Sequence, residues 1–386
     1  MPLCMSLEQI WRGRMNNTEN IAAKVNITIT EDDIDWVESI MPGIRFDKDR
    51  RDIIKCMDTV DINACPGSGK TTLLVAKLAI MAQKWSDSTK GICVLSHTNA
   101  ARIEIEDKLG KTTAGKKLLS YPHFIGTFQA FFDEFVVIPQ LKSKGFDDIT
   151  VDTEIVTASR WHRLNYKTKI RFEHLYGNQY SCELTELPDR VNVSDKEKFK
   201  SITQEVQQIV KASMDNGDFT YNEMQLLAEY YVNERVSLQS ITRWRFPYLF
   251  IDEAQDTKDF FWKLIDTLFG NKDDSSSEII RQSYGDVNQE IFNVVGKEEE
   301  NTGFPNGNIL KIMNSRRFIP KIASLANGVA FDGFSTMTGE YKEFSNDIKQ
   351  TVFLYQSGKA SEAIRSFGHR ILTSFTDEEI QQHWLE

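Results

Sequence analysis

The chain carries 386 residues at a formal net charge of −10, with 40% apolar and 26% charged residues. That length allows two or three domains with cores of their own, the composition is that of a globular protein, and the acidic balance excludes a globally basic nucleic-acid coat while permitting a local basic groove. Cys4, Cys56, Cys65, Cys93 and Cys182 form no C-x-x-C pair, no apolar run has the length of a membrane span, and MPLCMSLEQIWRGRMNN lacks a secretory core, which points to reduced thiols and a cytoplasmic location.

Residues 1–45 are weakly patterned and read as an N-terminal extension with one short acidic helix, EDDIDWVESI. From Phe46 the text becomes regular. A helix at FDKDRRDIIKCM precedes a buried strand, TVDINA, and the amphipathic run GKTTLLVAKLAIMAQKW. GICVLSHT with NAARIEIEDKL, and HFIGTF with QAFFDEFV, repeat the strand–helix pattern. Such alternation predicts a parallel α/β sheet covered on both faces. Residues 129–245 are polar and helical, as expected of an inserted subdomain. Strands resume at FPYLFIDEA, EIIRQSYGD, ILKIMNS and TVFLYQSG, the last two followed by the helices PKIASLANGVA and KASEAIRSFGHRILTSF. The expected organisation is a first α/β domain at 46–128 and 246–300, the insertion at 129–245, and the start of a second α/β domain at 301–386.

The stretch NACPGSGKTTLL places Gly67, Ser68, Gly69, Lys70 and Thr71 where a strand turns into a helix, the setting a phosphate loop requires. Glycines let backbone N–H groups curl inward, and the helix N-terminus adds its positive dipole end. Lys70 reaches β- and γ-phosphates and the Thr71 hydroxyl ligates Mg²⁺. Ala64 stands where the strict pattern has glycine, and Thr72 completes the candidate ATP contacts. In YLFIDEAQD a buried strand delivers Asp252 and Glu253 to its C-terminal end. Asp252 suits Mg²⁺, Glu253 suits the alignment and deprotonation of water, and Gln255 is grouped with the nucleotide contacts. Two adjacent carboxylates at a strand end are costly without a cation.

GSGKT together with DEAQD resembles superfamily 1 DNA helicases of the UvrD/Rep type, and further landmarks follow in that family's order. FDKDRRDII is similar to the adenine-side segment, with Arg50 where the family has glutamine and Arg51 beside it. SHTNAARIEIEDKL looks like the motif whose Thr98 and Asn99 would meet the DNA backbone, and FIGTFQAFF would place Thr127 and Phe128 near single-stranded DNA. GDVNQEIF is similar to the motif in which Gln289 would sense the γ-phosphate, with Glu290 where the family has serine, and NSRRFIPKIASLAN would offer Arg316 as an arginine finger. No text after Phe375 matches the family's last two motifs, so the second domain is expected to be incomplete here, as in the front part of a longer protein.

The resemblance implies a RecA-like P-loop NTPase sheet with a mainly helical insertion and the beginning of a second RecA-like domain. It also implies an ATP- and Mg²⁺-dependent translocase or helicase on single-stranded or partly duplex DNA, in repair or antiphage defence. A nuclease or another repair or defence subunit is the expected protein partner, as for the helicase-like subunits of Gabija-type systems. A nucleotide-sensing subunit that controls an effector without unwinding DNA is the alternative. SRWHRLNYKTKIRFEHLY interleaves Arg160, Arg163, Lys167, Lys169 and Arg171 with Trp161, Tyr166 and Phe172. That pattern suits single-strand tracking or equally an amphipathic helix with a core stripe. His97, His123 and His162 lack metal-ligand spacing and are read as structural.

Overall fold

Strands β1 (Val60–Ala64), β2 (Ile92–Ser96) and β3 (Phe124–Thr127) form as the alternation predicts. The insertion adds the two-residue strands β4 (Thr150–Val151) and β5 (Asp218–Phe219), and β6 (Tyr248–Ile251), β7 (Ile280–Gly285) and β8 (Ile309–Ile312) return to the main sheet. The computed structural model describes residues 26–110, 112–170, 200–270, 279–289, 303–330, 336–341, 351–377 and 380. Arg171, Phe172, Cys4, Cys182 and Glu290 lie outside them.

The main sheet has the order β3-β2-β6-β7-β1-β8, and all its pairings are parallel. Each residue of β1, β2 and β6 is buried, because a parallel sheet is covered on both faces. One face packs on the helix Lys70–Lys84, whose Leu73 to Ala82 are all buried. The other shares a core with residues of 129–245: Leu95, Leu249 and Ile251 join Phe131, Val206 and Leu227 in one cluster. From β1 the chain moves to β2 on one side and later adds β8 on the other. That reversal opens a crevice at the C-terminal strand ends. Among the described residues no helix is long and apolar enough to cross a membrane.

Three expectations of organisation change. ILKIMNS does not begin a separate sheet: β8 pairs in register with β1, Ile62 opposite Leu310, so the first sheet runs past residue 300. The acidic segment forms the helix Glu31–Ile40 behind a Thr30–Asp33 capping box, and its Ile34 and Val37 are buried in the core with the Lys70–Lys84 helix. The described part of the N-terminal extension therefore packs into the same core as that helix. TVFLYQSG is not a strand: residues 351–356 have no regular structure, and Leu354 is 94% exposed. A β-propensity run without a pairing strand has nothing to hold it extended.

Among the described residues of 129–245 helices predominate, and the basic pattern resolves by residue. Arg160 is fully buried, donating to both Glu223 carboxylate oxygens at 2.5 and 2.8 Å, to Ser213 Oγ at 3.0 Å and to the Asp218 carbonyl at 3.1 Å. It is a strut between helices and takes no part in a DNA surface, while Arg163, Tyr166 and Lys167 remain exposed. Replacing Arg160 by Met strands a buried charge on Glu223 and is expected to lower stability by about 3–5 kcal/mol. Urea unfolding checks this, with the double variant Arg160→Met/Glu223→Leu expected to regain most of the loss.

Candidate nucleotide-binding site

The loop after β1 turns through two left-handed glycines, Gly67 at φ +73° and Gly69 at φ +82°, where an L side chain would be strained. A Cβ at position 67 would in addition sit 2.4 Å from Arg317 Cβ and 2.7 Å from Ser315 Oγ. Gly69 heads the helix Lys70–Lys84 without a side-chain cap, which leaves the first-turn N–H groups facing the cleft. The cleft, about 210 Å³, is lined by residues 64–72 with Glu104, Glu253, Gln289 and Arg317. Cys65 packs in its wall, its thiol pushed up to about 12 by burial and by the Asp286 charge, and is no nucleophile.

β6 ends beside the loop. Lys70 Nζ lies 2.5 Å from Glu253 Oε2, and the Thr71 hydroxyl lies 3.4 Å from Asp252 Oδ2. Glu253 holds a left-handed backbone, φ +50°, and is the single non-glycine residue with positive φ among those described. Such strain costs about 1–3 kcal/mol and marks sites where direction matters more than stability. Asp252 is 1% exposed, and burial pushes its carboxyl up to about 6 against the pull of Lys70, with Glu253 and Glu104 adding to the rise. Its Oδ1, the Asp286 Oδ2 and the Ser68 hydroxyl are buried without a hydrogen-bond partner among the described residues. Burial likewise raises Asp286. The Asp252 carboxylate, with an unused lone pair on Oδ1, beside the Thr71 hydroxyl offers oxygen donors, which fit Mg²⁺ carried with a triphosphate.

Gln255 bridges two strand ends: its amide donates to Glu253 Oε2 at 2.9 Å and its carbonyl accepts from the Asp286 N–H at 3.0 Å. It holds Glu253 and does not itself line the cleft. Gln289 does line it, and so does Ala64. Arg50 does not. It is 1% exposed, and its Nε and Nη2 donate to the Ser68 carbonyl at 3.0 and 2.7 Å, Nη2 to the Asn314 carbonyl at 2.9 Å, and Nη1 to Asn314 Oδ1 at 3.0 Å and to Asp47. All five guanidinium N–H groups are used on protein, so Arg50 braces the loop and has none left for a base or phosphate. Arg51 pairs with Glu31, Asp35 and Glu38 and faces away from the cleft for the same reason. Arg316 is displaced too: its side chain is 40% exposed and lies 3.6 Å from Asp47, while its backbone N–H donates to the Gly67 carbonyl at 3.0 Å. The arginine at the cleft is Arg317.

Of the DNA candidates, Thr98 and Asn99 are exposed just past the end of β2, beside the end of β3 where Thr127 lies. The Thr127 hydroxyl is occupied in capping the next helix through Ala130 N–H. Phe128 is 2% exposed and stacked on Phe261, centroids 5.2 Å apart. It is core, unavailable to a base, because that helix turns its aromatic residues under the sheet. Glu104 and Arg317 were missing from the sequence reading. Only the doublet Arg316–Arg317 hinted at the latter, and no signal marked Glu104, whose approach to Thr72 at 3.0 Å depends on helix packing.

A parallel sheet with its phosphate loop at the switch point after β1 and a carboxylate pair at the end of β6, with β7 between the two strands, defines a RecA-like helicase fold. Residues 47–301 match the family model for the UvrD/REP helicase N-terminal domain, and the chain belongs to that family, whose members use ATP with Mg²⁺. It is also similar to the Gabija protein GajB of Bacillus cereus (strain VD045), 33% identical over 93 residues. That stretch covers 24% of this chain and 17% of GajB, so the match spans less than a fifth of that relative's length.

Proposed function

We propose that the chain is an ATP-dependent translocase on single-stranded DNA, working in the cytoplasm with a protein partner in DNA repair or antiphage defence. Lys70, Thr71 and Glu253 line one cleft, with Lys70 against Glu253 and Asp252 behind Thr71, and this arrangement carries the ATPase part of the reading. Family membership supports the helicase part, and the partial likeness to GajB supports defence and a nuclease or other defence subunit as partner. Bound Mg²⁺·ATP supplies the phosphoanhydride and a cation to offset developing charge. The loop N–H groups from Gly67 to Thr72 hold phosphate oxygens, and Thr71 and Asp252 hold the cation. Lys70, paired with Glu253 in this structure, turns to phosphate. Glu253, released from it, orients water and takes its proton. Gln289 and Arg317 also line the cleft and complete the electrostatic clamp.

In this reading the first RecA-like domain comprises the main sheet through β8, residues 129–245 form its insertion, and the second RecA-like domain starts after β8. Exposed Thr98 and Asn99, with Thr127 nearby, contact the DNA backbone without reading sequence. Steady-state ATP hydrolysis with and without a single-stranded oligonucleotide tests the reading. The expected result is a stimulation of about tenfold or more, lost in Lys70→Ala. A rate indifferent to DNA, or unchanged in Lys70→Ala, overturns it; a rate that answers only to a partner protein turns the assignment to a nucleotide sensor.

A further inference from the structure

The helix Ala100–Leu109 joins two places that a DNA-driven ATPase must connect. At its head is the exposed turn Thr98–Asn99, where Asn99 caps the helix without a side-chain hydrogen bond. About 8 Å further along the axis, Glu104 lines the nucleotide cleft. Its carboxylate accepts from the Thr72 hydroxyl at 3.0 Å and pairs with Lys108, whose ammonium donates to the same Thr72 hydroxyl at 2.6 Å. Thr72 follows Thr71, whose hydroxyl reaches Asp252. A Glu–Lys pair four residues apart on a solvated helix contributes little. This one is largely covered, with the Glu104 side chain 25% and the Lys108 side chain 31% exposed, and it closes on a residue of another helix.

We propose that Glu104 and Lys108 are positioning residues that carry DNA contact at Thr98–Asn99 to the phosphate loop through Thr72. The inference rests on the translocase reading above. A hydrogen-bonded helix moves as a rod, so a displacement of its first turn reaches Glu104 and Lys108 undiminished. Both grip one hydroxyl beside the cation ligand Thr71, and the loop shifts with them. Coupling of this kind is reciprocal: nucleotide on the loop alters the affinity of the turn for DNA.

The test is an equilibrium one. Fluorescence anisotropy of a labelled single-stranded oligonucleotide gives its Kd with and without a non-hydrolysable Mg²⁺·ATP analogue, for wild type, Glu104→Gln and Lys108→Met. The analogue is expected to shift the wild-type Kd by about fivefold or more. In both variants that shift should collapse to less than about twofold while the nucleotide-free Kd holds. Stimulation of ATP hydrolysis by the oligonucleotide should fall in parallel. A shift that survives in both variants overturns the relay, as does an equal loss of nucleotide-free DNA affinity, which would make these residues part of DNA binding itself. If the wild type ignores DNA in both assays, the translocase reading fails and the relay with it. Wild-type coupling that outlives both substitutions defeats the relay alone.

Discussion

Glu253→Gln should bind ATP and fail to turn it over, with kcat down by about 10²- to 10⁴-fold, the range for loss of a general base, and KM within a few-fold. The amide keeps the size and the left-handed backbone of the glutamate, and Gln255 still has a carbonyl-type oxygen to donate to, so the β6–β7 bridge survives. What disappears is the charge. Lys70 then loses its partner at 2.5 Å and faces the loop unpaired, which strengthens its hold on a triphosphate. Lys70→Ala acts the opposite way, removing the phosphate contact and raising KM as well. Initial rates over an ATP series separate the two, and a Glu253→Gln variant with wild-type kcat would remove Glu253 from the chemistry.

The sequence announced this pocket because its parts are local. A strand, a glycine turn and a helix head form one contiguous signal, and a buried apolar strand ending in Asp252–Glu253 forms another. Parallel pairing then brings any two strand C-termini to the same edge, so their meeting follows from topology alone. What remained hidden depends on contacts distant in sequence. Arg50 reads as a base-facing side chain until Asn314, 264 residues away, is seen to accept from it at 3.0 Å. A charge with that many donors goes wherever carbonyls converge, and Ser68 and Asn314 supply them. Which member of the Arg316–Arg317 doublet faces the loop is a matter of one backbone turn, fixed by the Arg316 N–H bond to Gly67. Phe128 shows the same limit: an aromatic after a glycine strand suits base stacking or core equally, and Phe261 decides it. Residues 309–312 pair with β1, which their sequence could not announce because a strand carries no mark of its partner.

Asp252→Asn should make the nucleotide-free protein more stable and the enzyme poorer. The carboxyl titrates near 6, against an ordinary value of 3.8, chiefly because it is buried. The folded state therefore binds its proton more tightly than the unfolded chain, and stability falls as pH rises through that interval. At about 1.36 kcal/mol per tenfold change in proton affinity, the full cost above pH 6 is about 3 kcal/mol. Asparagine carries no such charge at any pH. The variant's advantage should thus be about half developed at pH 5 and complete by pH 8, read as the difference in urea midpoints. Mg²⁺ with a non-hydrolysable nucleotide should reverse the order: a cation beside the unpartnered Oδ1 offsets the buried charge in the wild type and has no carboxylate to meet in the variant. Turnover of ATP should drop about 10- to 100-fold, as for loss of a group that orients a metal. A variant less stable than the wild type at pH 8, or an advantage that does not grow with pH, would mean that Asp252 is held ionised by something other than the cation this cleft is shaped to receive.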